Sequence, residues 1–149
     1  HWFHLTQPAP LPEFMIGGNP KAYLHAKLGG WGSQGLGYIE PEALAEYERC
    51  AALPGTARSI AEDYRASATL DLEHDRADVA AGRLLQQPLR VLWGQHGAVG
   101  RCFDVLALWR ERAALVTGRE IDCGHYLAEE APEQVLAEAQ AFFTHSQSD

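Results

Sequence analysis

Apolar and polar residues follow two different patterns along the chain, and the change falls between residues 80 and 87. In the first part, apolar positions recur at helical spacing, as in Leu44, Tyr47 and Ala51. Such spacing is typical of a helix with one buried face. The second part contains short apolar runs closed by glycine, which are typical of buried parallel strands. The chain is therefore predicted to begin with helices and to continue with strands and helices in alternation.

The first part is predicted to hold three short helices. Residues 5–20 are expected to form a loop, because prolines at this density interrupt a helix. Asn19 and Pro20 resemble a helix start, and a helix is predicted over residues 21–28, before Gly29 and Gly30. Two further helices are predicted, one from residue 41 to about residue 53 and one over residues 57–68. An acidic run around His74 is interpreted as a solvated linker.

The second part alternates strand, helix, strand and helix, at residues 88–94, 102–112 and 114–121 and from Pro132 onward. This alternation predicts a parallel sheet covered by helices, and hence the α/β class. Because two strands do not make a stable sheet of this kind, the remaining strands are expected to come from elsewhere. We divide the chain into a helical region, residues 1–80, and a sheet region, residues 81–149.

The composition is that of a globular protein, with 46% apolar and 21% charged residues among 149. A net charge of −8 argues against a nucleic-acid partner, since phosphate contacts need clustered lysine and arginine. No apolar run approaches the ~18 residues of a membrane span. Cys50, Cys102 and Cys123 form no CxxC pair, which favours a reduced cytoplasmic protein without a zinc site. The chain starts at His1 rather than Met, and we expect it to be a piece of something longer.

His125 is the strongest candidate for chemistry. The pair Gly124-His125 follows the last predicted strand, and parallel-sheet enzymes place catalytic groups at the carboxyl ends of strands. A histidine at that position has the pKa range of a general base. The competing interpretation is a histidine in a surface loop without a function.

His1, Trp2 and Tyr64 are a second group of candidates. Imidazole, indole N–H and phenol O–H all donate hydrogen bonds, so their convergence would form a site for an anion. Packing roles explain Trp2 and Tyr64 equally well. Trp31 lies in a glycine-rich stretch that matches G-x-G-x-x-G, but a helix rather than a strand is predicted before it, so a dinucleotide site is rejected. Trp31 is interpreted as a pocket wall or a packing anchor.

Several short motifs occur in an order that resembles the fluoroacetate (haloacetate) dehalogenases, a family of α/β-hydrolases. They span nearly the whole chain: His1-Trp2-Phe3, Gln7-Pro8, Leu11-Pro12-Glu13, Ile16-Gly17 with Pro20, Gly30-Trp31-Gly32, Pro41-Glu42 with Tyr47, Asp63-Tyr64-Arg65-Ala66 and Gly124-His125. The resemblance implies the C-terminal portion of an α/β-hydrolase fold, with a helical cap over residues 1–80 and an incomplete parallel sheet after it.

The resemblance also implies a mechanism. In this family an aspartate displaces halide from a short 2-haloacid and forms an ester, which water activated by a histidine then hydrolyses. His125 occupies the position of that histidine, while His1, Trp2 and Tyr64 match the residues that hold the halide. Trp31 matches a residue that lines the pocket. The family implies no metal or organic cofactor, and it favours a homodimer.

Part of the expected catalytic set is absent from the sequence. The nucleophilic aspartate and the arginines that bind the substrate carboxylate are expected upstream of His1, in the missing N-terminal half of the fold. No carboxylate follows the first strand, in residues 95–98. Asp122 is predicted to point away from His125, and Asp104 is predicted to stabilise a helix start. The chain alone is therefore expected not to turn over haloacetate.

Two alternatives stay open. An epoxide hydrolase shares the aspartyl-ester chemistry and protonates the opening ring with a pair of cap tyrosines, of which the sequence offers one well-placed candidate, Tyr64. A non-catalytic relative, or a split fragment that acts only with a partner, is the other alternative, because the nucleophile is missing.

Overall fold

The computed structural model describes residues 2–31 and 35–145, and these fall into two units. The first unit takes the described residues of His1–Gly30 together with Glu40–Gly82. The second takes those of Trp31–Ile39 and Arg83–Asp149. Residues 35–39 thus group with the later part of the sequence. None of the helices within residues 2–31 and 35–145 has the length and apolarity needed to cross a membrane.

The first unit is helical throughout its described part. Its helices are α1 (Trp2–Leu5), α2 (Leu11–Gly17), α3 (Pro20–Trp31), α4 (Pro41–Ala51), α5 (Thr56–Ala68) and α6 (Leu70–Ala80). The predictions of α3, α4 and α5 are confirmed. Asn19 caps α3 as expected, since its side-chain oxygen accepts the N–H of Ala22 at 3.0 Å. The helix runs on to Trp31, because Gly29 and Gly30 do not adopt the left-handed conformation that ends many helices.

The predicted loop over residues 5–20 is wrong, because it contains the end of α1 and the whole of α2. Pro12 lies in the first turn of α2, where a missing N–H breaks no helical hydrogen bond. Leu5, Pro12 and Ile16 are fully or almost fully buried. Burial of this apolar face therefore outweighs the cost of forming a short helix among several prolines.

The predicted linker around His74 is also wrong, because residues 70–80 form α6. Asp71 and Glu73 lie in its first turn, where negative charge is favourable beside the helix N-terminus. Residues 71–80 are all exposed, so the part of the prediction that concerned solvation agrees with the structure.

A charged network joins α2 and α5 in the first unit. The guanidinium of Arg65 donates to both carboxylate oxygens of Glu13, at 2.7 and 3.2 Å, and its Nε donates to the carbonyl oxygen of Gln7 at 2.9 Å. Both side chains are mostly buried. The hydrogen bonds from Arg65 hold the pKa of Glu13 below its ordinary value. This network fixes the backbone next to Tyr64.

The second unit contains a two-stranded parallel sheet and its covering helices. Its elements are β1 (Leu89–Gly94), α7 (Ala98–Cys102), α8 (Val105–Arg110), β2 (Val116–Ile121), α9 (Leu127–Glu130) and α10 (Pro132–His145). The strands pair from Leu89 with Val116 to Gly94 with Ile121, so both end at the same edge. The parallel sheet and the final helix confirm the prediction.

The helix predicted over residues 102–112 is broken in the structure. Phe103 is extended, so α7 ends before it and α8 starts after Asp104. Asp104 caps α8, since its carboxylate accepts the N–H of Ala107 at 3.0 Å, as the sequence predicted for a helix start. The short helix α9 was not predicted, because four residues carry too little periodicity to be recognised.

A small core and one ion cluster hold the second unit together. Ile121, Cys123 and Ala131 form the buried cluster, with Leu92 and Leu127 packed against it. Glu138 on α10 binds the guanidinium groups of Arg90 and Arg119, one on each strand. These arginines hold the pKa of Glu138 below its ordinary value. Both strands are thereby tied to the final helix.

We predict that Glu13→Gln lowers the thermal unfolding midpoint at neutral pH by a few degrees. Because folding lowers the pKa of Glu13, its contribution is present above the ordinary value of 4.5 and is lost as the pH falls through the folded value. The difference between wild type and variant is therefore expected to shrink below that pH. Thermal unfolding followed by circular dichroism across pH 2–7 measures it.

Glu62→Gln is the matched control, because Glu62 contacts the same guanidinium at 2.9 Å but its side chain is 55% exposed. Exposed ion pairs contribute little to stability. Equal midpoints and equal pH dependence for the two variants would show that the buried carboxylate adds nothing.

Candidate functional site

His125 lies just beyond the edge at which both strands end. β2 ends at Ile121, a bend covers Asp122 and Cys123, and α9 begins at Leu127. β1 ends at Gly94, opposite Ile121. The structure therefore places His125 at the carboxyl edge of a parallel sheet, where loops carry chemistry in this class of fold.

Glycines allow the two strand ends to approach each other. A Cβ at Gly94 would lie 1.6 Å from the carbonyl oxygen of Gly124, and one at Gly97 would lie 3.3 Å from it. His96 donates its backbone N–H to the carbonyl oxygen of Cys123 at 3.0 Å. The loop before His125 is thus packed directly against the loop that follows β1, with no room for a side chain at Gly94.

Aromatic rings surround the histidine on one side. The ring of Tyr126 meets the His125 ring edge-on, with centroids 5.1 Å apart and planes at 81°. Its phenol ring also stacks on Tyr38, at 5.8 Å and 13°. Tyr38 comes from residues 35–39, the stretch of the first half that groups with this unit. The sequence did not indicate either tyrosine as a candidate, because Tyr38 and Tyr126 are far apart along the chain and meet only in the folded structure.

His125 also lines a cavity of about 240 Å³. Its other walls are mainly apolar and include Trp93, Val105, Trp109 and Leu127. His125 itself is exposed, so its imidazole is reachable by water at the mouth of this cavity. This position is compatible with the predicted role of a general base.

The nearby acids have other partners. The carboxylate of Asp122 lies 2.7 Å from Nε2 of His96, and both side chains are exposed. Asp122 is thus paired with His96, and its predicted orientation away from His125 stays a prediction. Burial, with the charges of Glu130 and Asp122, raises the pKa of the Cys123 thiol. A thiol held protonated in this way is a weak nucleophile.

Trp2 and Tyr64 are brought together in the first unit. Their rings meet edge-on with centroids 5.1 Å apart, although half of the Trp2 surface is exposed. Burial, reinforced by the charge of Asp63, raises the pKa of Tyr64. Its hydroxyl therefore stays protonated at neutral pH and can donate a hydrogen bond to an anion.

Tyr23 is a site residue that the sequence did not reveal. It lines a cavity of about 180 Å³ together with Tyr64, Leu24, Ile60 and Lys27. Its hydroxyl is buried and has no hydrogen-bond partner among the described atoms. Burial, together with Tyr64, raises its pKa. The helical spacing of α3 carries no sign of this role, because it depends on packing against α5.

The other predicted residues are less defined. His1 lies outside the described residues. Trp31 ends α3, and only its backbone belongs to the described part. The roles predicted for all five site residues stay predictions: His1, Trp2, Trp31, Tyr64 and His125.

The sequence is similar to hydrolases along most of its length. It is 32% identical over 148 residues, 99% of the chain, to the fluoroacetate dehalogenase of Burkholderia sp.. It is 35% identical over 104 residues, 68% of the chain, to the soluble epoxide hydrolase of Corynebacterium sp. strain C12. These matches cover 48% and 34% of the two proteins. No protein-family model matches the sequence.

Solved structures share the fold. A protein of Nostoc sp. PCC 7120 assigned to the α/β-hydrolases is 49% identical, with a TM-score of 0.91 over 97% of this chain and 49% of that one. A protein of Pseudomonas aeruginosa assigned as an epoxide hydrolase is 37% identical, with a TM-score of 0.90 over 99% of this chain and 49% of that one.

The chain therefore belongs to the α/β-hydrolases and has the fold of their C-terminal portion, as predicted. Within that class it is similar both to a fluoroacetate dehalogenase and to epoxide hydrolases. It spans about half the length of the first of these relatives and a third of the second.

We predict that Gly94→Ala destabilises the protein by about 1–3 kcal/mol or more, because the new methyl group would overlap the carbonyl oxygen of Gly124. Gly17→Ala is the control, since a Cβ there meets nothing within 4 Å and alanine favours the helix. Urea unfolding measures both. A Gly94→Ala variant as stable as wild type would show that the two loops do not pack as described.

Proposed function

We propose that the chain is the cap and C-terminal core of a hydrolase that removes halide from a short 2-haloacid such as fluoroacetate. The observation that carries this proposal is the contact between Trp2 and Tyr64, two donors that the resemblance assigns to the halide, in a chain similar to a fluoroacetate dehalogenase over 99% of its length. The resemblance assigns Trp31 to the pocket lining and His1 to a third donor, and both assignments are part of the proposal.

The proposed reaction has two steps. An aspartate attacks the carbon that bears the halogen, the carbon–halogen bond breaks, and halide leaves with the electron pair while an ester forms. Hydrogen bonds from the Trp2 indole and the Tyr64 phenol would stabilise the charge that develops on the halide. His125 would then take a proton from water, whose oxygen attacks the ester carbonyl, releasing the 2-hydroxyacid and the free carboxylate.

The nucleophile and the remaining strands would come from an N-terminal half. The two strands differ in a way that indicates where these strands pair. β1 is apolar along most of its length, with Leu89, Val91, Leu92 and Trp93, whereas β2 carries Arg119 and Glu120. Charged residues are typical of a sheet edge that stays unpaired. We therefore propose that the next strand pairs with the free edge of β1.

Large exposed apolar side chains support the same idea. Leu85, Phe103, Leu115 and Phe143 are each at least half exposed in the second unit. We call the chain joined to the proposed N-terminal half the assembled hydrolase. A cytoplasmic location and a homodimer remain part of the proposal, and the three unpaired cysteines suit a reducing compartment.

We predict that His125→Asn in the assembled hydrolase stops turnover after the first step. Asparagine cannot take the proton from water, so a carboxymethyl ester should accumulate on the nucleophilic aspartate. Intact mass spectrometry after incubation with fluoroacetate detects the added group, and an ion-selective electrode detects at most one fluoride released per site. A variant that turns over at the wild-type rate would contradict the role of His125.

Two controls sharpen the test. His96→Asn changes an exposed histidine 2.7 Å from Asp122 and is expected to keep turnover. The 149-residue chain alone is expected to release no fluoride, since no nucleophile is matched in it. Fluoride release by the isolated chain would contradict the proposed division of the catalytic set.

Epoxide hydrolysis is the second candidate function. Tyr23 and Tyr64 line one cavity, so the structure supplies the second cap tyrosine that the sequence alone did not offer. The similarity to epoxide hydrolases supports this candidate as well. Two phenols beside one cavity are able to hold and protonate an epoxide oxygen as the ring opens.

Single replacements of the two tyrosines separate the candidates. For a dehalogenase, Tyr64→Phe should lower the rate of fluoride release by about 10–100-fold, whereas Tyr23→Phe should change it less than threefold. For an epoxide hydrolase, both variants should slow epoxide opening by similar factors. Steady-state assays on fluoroacetate and on a small epoxide measure both rates. Activity on neither substrate would favour the remaining alternative, a non-catalytic fragment that acts with a partner.

A further inference from the structure

One carboxylate accepts the backbone N–H groups on both sides of His125. The N–H of Gly124 donates to Oε2 of Glu130 at 2.6 Å, and the N–H of Tyr126 donates to Oε1 at 2.9 Å. Hydrogen bonds to a charged acceptor are stronger than those between neutral groups. The same side chain thus holds the peptide before Gly124 and the peptide after His125, with only these two residues between them.

Gly124, the residue before His125, leaves the space that this carboxylate occupies. A Cβ at Gly124 would lie 2.7 and 2.8 Å from the two oxygens of Glu130. The carboxylate therefore occupies the space that a side chain at residue 124 would need. Glycine at this position is explained by the approach of Glu130, together with the packing against Gly94.

Glu130 is itself anchored. It is the last residue of α9, and its own N–H donates to the carbonyl oxygen of Tyr126 at 2.8 Å. The next residue, Ala131, is buried in the cluster with Ile121 and Cys123. The carboxylate thus links the histidine loop to the core of the second unit.

We propose that Glu130 is a positioning residue, which fixes the backbone of His125 so that its imidazole is presented at the carboxyl edge of the sheet. The consequence for catalysis rests on the proposed function of His125 as the general base. A displacement of about 1 Å in a catalytic group is enough to cost about 100-fold in rate. A purely structural role, in which Glu130 only caps α9, would affect stability but not the histidine.

The test compares Glu130→Ala and Glu130→Gln in the assembled hydrolase. Alanine removes both acceptors, whereas glutamine keeps one oxygen and faces the other N–H with an amide group. Glu133→Gln is the matched control, an exposed glutamate in the first turn of α10. Thermal unfolding is measured first, and all assays are made well below the lowest midpoint.

The first readout needs no activity. In protein labelled at glycine, tyrosine and histidine, Glu130→Ala should speed amide hydrogen exchange at Gly124 and Tyr126 at least tenfold. The ring resonances of His125, which the neighbouring Tyr126 ring shifts, should move toward those of a histidine in an unstructured peptide. Glu130→Gln should have an intermediate effect and Glu133→Gln none.

The second readout is kinetic. Glu130→Ala should lower kcat about 10–100-fold with KM changed less than threefold, and Glu130→Gln should recover part of that loss. Faster exchange with unmoved His125 resonances and unchanged kcat would overturn the positioning role in favour of a cap on α9. Unchanged exchange would overturn the proposal outright. Failure of the proposed function is separate, because His125→Asn would then leave kcat unchanged, while the amide and ring resonances still report the position of the loop.

Discussion

The close approach of the two strand ends is the constraint on which the candidate site depends. The carbonyl oxygen of Gly124 lies where a side chain at Gly94 would be, so the loop after β2 is packed onto the loop after β1. This contact sets the height of His125 above the sheet edge. The same backbone is then held from the other side by Glu130. A catalytic side chain has to be held at one place, and these contacts fix the main chain on either side of His125.

In the first unit, a mostly buried ion pair holds the backbone beside Tyr64. Arg65 joins Glu13 and the carbonyl of Gln7, and it directly follows Tyr64 in α5. Its side chain is mostly buried, so the geometry of the pair matters more than it would at the surface. These residues belong to three of the motifs on which the family resemblance rested. Their spacing in sequence is therefore explained by one tertiary contact next to the proposed halide donor.

The sequence predicted the elements whose signals are local. Strand β1 has an apolar run interrupted only by Arg90, α4 and α5 have helical stripes, and Asn19 with Pro20 starts α3. Helix α2 was missed because proline was counted as a breaker, although it is tolerated in a first turn. The contacts of Tyr23 and Glu130 were missed because they depend on tertiary packing that no local pattern encodes. His125 was predicted as a candidate because it lies in the loop after a strand end, where parallel-sheet enzymes place catalytic groups.

The two candidate functions require different chemistry from the hydroxyl groups of Tyr23 and Tyr64. Opening an epoxide requires a phenol to give up its proton to the ring oxygen, which is easier for a more acidic hydroxyl. Binding halide requires only a hydrogen bond, since hydrogen fluoride is a stronger acid than a phenol and the proton stays on the tyrosine. Burial raises the pKa of both Tyr23 and Tyr64, which weakens them as acids and leaves them as donors. The raised pKa values of Tyr23 and Tyr64 thus agree with the proposed halide binding, even though the number of tyrosines fits both reactions.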